Sequence, residues 1–179
     1  MRASILAFAI LILCASTGSA FAAFAGAYAP EHWTFYSDGG NCSGSGELYE
    51  DLMIVEGVDC ETGHCTLCLA HYLLTAPEDA TLSFHYLFTS TDSGAWDYVD
   101  RAFYMLNGEI TFLAWIPASG DDSLVVAEGD EFALGVWSED GLGGSAEVRV
   151  TNFEVTAPPE PGSLVLLAAG ALAVLRRRR

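Results

Sequence analysis

Lysine is absent from this 179-residue chain, and its seven basic residues, all arginines, face 24 acids for a net charge of −17 at pH 7. Five of the arginines lie at the ends, as Arg2 and Arg176–Arg179. The body between them sets only Arg101 and Arg149 against all 24 acids, a net of −22. A surface with so little positive charge excludes nucleic acid as a partner, because phosphate contacts need basic side chains. It equally excludes docking of the body on anionic lipid. Long apolar runs are also missing: Ile5–Leu13 has nine residues and Gly162–Leu175 has fourteen, where roughly 20 are needed to span a bilayer. Catalytic signatures are missing too, with no G-x-S-x-G, no H-E-x-x-H and no glycine-rich phosphate loop. His32, His64, His71 and His85 have no spacing that marks a nucleophile's partner. Among 24 acids some carboxylate pair will fall about 5–10 Å apart by chance, so pairing alone does not signal a glycosidase. The expectation is a protein that is not an enzyme, with a secreted hydrolase as the third reading. With 51% apolar and 12% aromatic residues the chain can bury a core, so its acidity does not mean disorder.

The ends read as addresses. Arg2, the apolar run Ile5–Leu13 and the small residues Gly18, Ser19, Ala20 and Ala22 have the order of a secretory signal over residues 1–22. Ala20-Phe21-Ala22 favours a cut after Ala22, with Ala20 or Ala25 as alternatives. Cys14 would suit lipidation, but the bulky Leu13 precedes it where a small residue is wanted. At the other end, Pro159-Glu160-Pro161 closes a linker over Thr156–Pro161 and breaks any preceding structure before the apolar helix of residues 162–175. Fourteen residues rise about 21 Å, short of the ~30 Å hydrocarbon core. Such a helix serves as a transient inner-membrane anchor, with Arg176, Arg177, Arg178 and Arg179 held in the cytoplasm. Pro-Glu-Pro, a short Leu/Ala-rich helix and a terminal arginine cluster, in that order, resemble the PEP-CTERM sorting signal of Gram-negative bacteria. The resemblance implies export, recognition by an exosortase, cleavage near Pro159, Glu160 and Pro161, and release toward the cell surface or an exopolysaccharide matrix.

The body, residues 29–155, reads as a single all-β domain, a β-sandwich or jelly roll of eight or so short strands. The expected strands are His32–Tyr36, Leu52–Val58, Thr66–Thr75, Ala80–Phe88, Arg101–Leu106, Glu109–Ile116, Ser123–Ala127, Glu131–Ser138 and Ser145–Val155. Asp38–Gly46 is expected as a Gly/Ser loop. Leu82, Phe84, Tyr86 and Phe88 alternate with Thr81, Ser83 and His85, the period of a half-buried strand. Asn107-Gly108 between two apolar runs is a strong hairpin signal. A shift of apolar parity between Val150 and Phe153 predicts a bulge near Asn152. Trp33-Thr34-Phe35, Thr75-Ala76-Pro77, Ser90-Thr91-Asp92-Ser93, Leu106-Asn107-Gly108, Gly129-Asp130 and Thr151-Asn152-Phe153 resemble segments of β-sandwich ectodomains attached to this kind of tail. That resemblance implies fold and location and no activity.

Three chemistries remain for the body. Loss of the leader leaves Cys42, Cys60, Cys65 and Cys68, an even number that in an exported protein points to two disulfides with three connectivities. Cys60 and Cys65 flank the Glu61–His64 turn and could face each other across a hairpin, leaving Cys42 to reach Cys68. A metal site of Cys60, His64, Cys65, Cys68 and His71 competes, but a lone C-x-x-C on a strand is not the usual zinc spacing. Asp92, Asp97 and Asp100 in one acidic loop are candidate calcium ligands, with solvation as the plainer reading. Trp96 and Tyr98 in that loop are candidate sugar-stacking residues, whereas Trp115 and Trp137 sit in strands and read as core or sheet-face residues. The leading expectation is a non-catalytic surface or matrix protein. The runner-up is a calcium-assisted carbohydrate-binding module. The disulfide reading predicts fewer than two free thiols in the unfolded, unreduced exported protein, and a thiol count of two or more would contradict it.

Overall fold

The computed structural model describes residues 20–38, 43–59, 68–91, 100–138 and 146–157. Two antiparallel sheets face each other, so the chain is a β-sandwich. The strands are β1 (Ala20–Ala22), β2 (Thr34–Asp38), β3 (Ser43–Leu48), β4 (Leu52–Asp59), β5 (Cys68–Thr75), β6 (Ala80–Ser90), β7 (Arg101–Leu106), β8 (Glu109–Ala114), β9 (Ala118–Val126), β10 (Glu131–Ser138) and β11 (Ala146–Thr156). One sheet has the order β3-β4-β11-β6-β9, with β1 paired to the C-terminal end of β11. The other runs β2-β5-β10-β7-β8. Two short 3₁₀ turns, Gly26–Tyr28 and Pro30–His32, lead from β1 into β2.

The core follows from period-two alternation. Met53 and Val55 of β4, Leu82, Phe84 and Phe88 of β6, and Val148, Val150, Phe153 and Val155 of β11 point inward from the six-stranded sheet. They meet Cys68, Ala70, Tyr72 and Leu74 of β5 and Phe132, Leu134 and Val136 of β10. At one end of this core Phe24 stacks on Phe153 with centroids 4.5 Å apart. Trp33 meets Phe24, Phe153 and Phe132 edge-on at 5.8–6.0 Å. The Trp33 indole donates to the Tyr28 carbonyl, 3.0 Å away, which satisfies its one polar atom inside the core. The buried Tyr28 hydroxyl is pushed up to about 12 by loss of solvent and, secondarily, by Glu78.

Most expected strands are present. The Asn107-Gly108 turn has φ of 52° and 82°, the left-handed pair that a two-residue hairpin requires. Asn107 also ties this turn to the next one. Its side chain accepts from the Glu131 amide and donates to Asp130, both at 2.9 Å. The expected bulge lies where anticipated: the β11 register shifts between Thr151 and Glu154, and Asn152 has φ 51°.

Three expectations need correction. The expected Gly/Ser loop contains a strand, β3, whose glycines read as breakers only because their role is spatial. A Cβ on Gly46 would stand 2.7 Å from the Phe35 ring and 2.8 Å from that of Tyr72. The segments flanking Glu61–His64 do not form a hairpin, because β4 and β5 belong to opposite sheets. Cys60 and Cys65 themselves lie outside the described residues. The described strands number eleven against nine expected ranges, since β3 and the short β1 add pairings that composition did not suggest.

The aromatic junction makes a direct prediction. Phe153→Ala empties a fully buried position contacted by Phe24, Tyr28 and Trp33. It should cost about 3–5 kcal/mol. Leu87→Ala, at an exposed position, should stay within about 0.5 kcal/mol by denaturant titration.

Candidate functional site

The outward faces of the two sheets differ in chemistry. Across the six-stranded sheet, polar side chains that pair with one another share the outer face with the exposed Leu87 and Val125. His85 Nδ1 lies 2.8 Å from Asp121, Arg149 bonds Glu147 at 2.5 Å, and Ser45 bonds Glu56. Ser83, His85, Asp121, Asn152 and Glu154 line a shallow depression there. Among the described residues no group of three or more His, Cys, Asp or Glu is placed to hold a metal ion.

The five-stranded sheet is apolar on both faces. Its strands place Tyr36, His71, Phe103, Trp137 and Phe112 on the side away from the core. Phe103 and Ala133 are fully buried yet lie outside the cluster between the sheets. The rings form two groups of contacts. Tyr36 stacks on His71 at 5.6 Å, and His71 meets Phe103 at 6.2 Å. Phe112 meets Trp137 at 5.5 Å and Trp115, in the bend after β8, at 5.4 Å. The Arg101 guanidinium lies over both Trp115, 4.1 Å from its centroid, and Phe112, at 5.1 Å. One of the two arginines in a body of net −22 thus belongs to this face.

Gly135 lets the rings lie this close. It pairs with His71 on β5 and Phe103 on β7, and a Cβ there would fall 2.5 Å from the His71 Cβ. Tyr36 and Trp115, at opposite edges of the sheet, are 47% and 54% exposed, and Ile116, next to Trp115 in the chain, is 60% exposed. These are large apolar groups held in water by a sheet. The buried Trp137 Nε1 and His71 Nδ1 make no hydrogen bond among the described residues. Burial holds the His71 imidazole below its ordinary value.

The sequence-level candidates distribute unevenly. Trp137 is a sheet-face residue as expected, while Trp115 lies past the end of β8 and is largely exposed. Asp100 is buried immediately before β7. Cys68 is disulfide-bonded and faces the core. Cys42, Cys60, Cys65, His64, Asp92, Trp96, Asp97 and Tyr98 lie outside the described residues, as do residues 1–19 and the tail from Pro158 to Arg179. The strand ends flanking the four internal segments outside the description all sit at one end of the sandwich. Among the described residues no helix is long and apolar enough to cross a membrane. Tyr36, His71, Phe103 and Phe112 were not legible as a surface from residue types alone. The available signal was apolar occupancy of both parities in β7 and β10, which marks a strand apolar on both faces.

A family model for the PEP-CTERM protein-sorting motif matches residues 159–179. The chain therefore carries this sorting signal, which implies export to the cell surface. No curated protein matches the chain. Among solved structures, the family 11 carbohydrate-binding module of cellulosomal cellulase Lic26A-Cel5E of Clostridium thermocellum aligns at 11% identity and a TM-score of 0.46. That alignment covers 80% of this chain and 96% of the module. A structure described as a promiscuous carbohydrate-binding module of the β-sandwich superfamily aligns at 13% identity and TM-score 0.42, over 80% of this chain and 64% of the other. The N-terminal cellulose-binding domain of Cellulomonas fimi β-1,4-glucanase C aligns at 14% identity and TM-score 0.37, over 73% and 91%. What those modules bind is a property of theirs.

Burial of the His71 imidazole couples folding to pH. The unfolded chain takes up a proton near pH 6.5, before the folded chain does, so stability rises with pH between the folded value and 6.5. Acidification below about 6.5 should therefore destabilise the domain through His71. In melting curves from pH 7 to 5, His71→Gln should lose that part of the slope, and an unchanged slope would contradict it.

Proposed function

We propose that this is an exported, non-catalytic protein of the cell surface or extracellular matrix that holds polysaccharide on the aromatic face of its five-stranded sheet. The observation that carries the reading is the row of aromatic side chains on the outer face of this sheet, with Tyr36 and Trp115 about half exposed, in a protein with 24 acids. Ring faces suit the C–H surfaces of sugars, and aromatic side chains lose little entropy when a ligand settles on them. The tail supports the location. An exosortase-type enzyme cleaves near Pro159-Glu160-Pro161 after transient anchoring, and the freed domain meets the exopolysaccharide outside the cell. Calcium at Asp92, Asp97 and Asp100 belongs to the same proposal as an aid to the ligand or to the loop.

The test is affinity electrophoresis of the exported protein through gels containing the producing cells' own extracellular polysaccharide. Wild type should be retarded saturably. Trp115→Ala should weaken retention about tenfold, the loss of roughly 1.4 kcal/mol, while leaving the melting temperature nearly unchanged because Trp115 is largely exposed. Equal mobility of wild type with and without polysaccharide would refute the reading, and loss of retention with chelator would assign the calcium.

A further inference from the structure

Resting on the reading of residues 1–22 as a leader, we infer that the chain is cut between Ala22 and Ala23, and that Ala23 begins the mature domain. Three features of the backbone and core converge on that one bond.

The domain's core begins at the next residue. Phe24 is fully buried, stacks on Phe153 at 4.5 Å with a 12° interplanar angle, and meets Trp33 at 5.8 Å. Its amide donates to the Glu50 carbonyl at 2.7 Å. A cut after Ala25 would carry Phe24 away and open the aromatic junction of the two sheets.

Strain is concentrated at the same place. Ala23 has φ 118°, a conformation that a residue with a Cβ rarely adopts. That dihedral is defined across the bond to Ala22. Hydrolysis of the Ala22–Ala23 bond therefore abolishes the dihedral and its cost, while a cut after Ala20 or Ala25 leaves residue 23 strained or removes it. Water is the co-reactant. The C–N bond breaks, Ala22 leaves as a carboxylate, and the Ala23 nitrogen becomes an ammonium.

The new terminus is already held. The Ala23 nitrogen donates to the Phe153 carbonyl at 2.6 Å, and as an ammonium it would keep that contact in charge-assisted form. It also adds a cation to a body of net −22. What leaves with the leader is β1, whose three-residue ladder to Glu154–Thr156 is the end of its sheet.

The full chain, expressed with export in a Gram-negative host and recovered from outside the inner membrane, gives the answer by mass spectrometry of its N-terminal peptide. A start at Ala23 is expected. A start at Phe21 or Gly26 would overturn the inference while leaving the leader reading intact, and a retained Met1 would overturn both. Ala23→Gly gives an independent readout. In the exported protein its melting temperature should match wild type, because no φ exists at a first residue. In chain kept whole by inhibiting the host's signal peptidase it should rise by several degrees. A similar rise in both forms would contradict cleavage at this bond.

Discussion

The two sheets share one core, and the interlocking of Phe24, Trp33, Phe132 and Phe153 joins them at the end where the chain enters and leaves. Phe153 belongs to β11 of the six-stranded sheet and Phe132 to β10 of the five-stranded sheet, while Phe24 and Trp33 come from the entry segment. Trp33 touches the other three rings. The geometry of this junction depends on the bulge around Asn152. By inserting one extra residue between Thr151 and Glu154, the bulge changes which side chains of β11 face inward and turns Phe153 into the core. Without it, period-two alternation would carry Phe153 to the outer face, and the rings would have no common centre.

With the sheets fixed in this way, the contrast between their outer faces becomes meaningful. The six-stranded sheet behaves as a solvated antiparallel sheet should, with His85, Asp121, Glu147 and Arg149 in water. The five-stranded sheet spends apolar residues on both sides, and the outer set makes its own ring contacts. A protein that carries 24 acids has ample polar side chains for that face. Their absence from the middle of it is a property of the surface, not a shortage. Arg101 stacked on Trp115 and Phe112 holds the ring array from its edge.

Much of this was legible in the sequence, and the reasons for the exceptions are physical. Asn107-Gly108 and the parity shift at Asn152 are local signals, because left-handed turns and bulges depend on residues adjacent in the chain. Strand β3 was not legible, since Gly44 and Gly46 look like breakers until Ala70, Phe35 and Tyr72 are known to press against them. The separation of β4 from β5 was not legible either, because sheet membership is decided by distant partners β11 and β10. For the same reason the aromatic face escaped a residue-by-residue reading. Tyr36, His71, Phe103 and Phe112 come from four strands, and only the pairing of β2, β5, β10, β7 and β8 brings them onto one surface. The sorting tail, by contrast, is a contiguous motif, and its three parts over residues 158–179 could be recognised without any fold.

On the proposed function, polysaccharide settles on the outer face of the five-stranded sheet. Backbone-amide chemical-shift mapping of the exported protein during titration with the producing cells' extracellular polysaccharide tests it most directly. Saturable shifts are expected in β2, β5, β7, β8 and β10, centred on Tyr36, His71, Phe112, Trp115 and Trp137. Saturable shifts centred on β4, β6, β9 and β11, or none at any polysaccharide concentration, would contradict it.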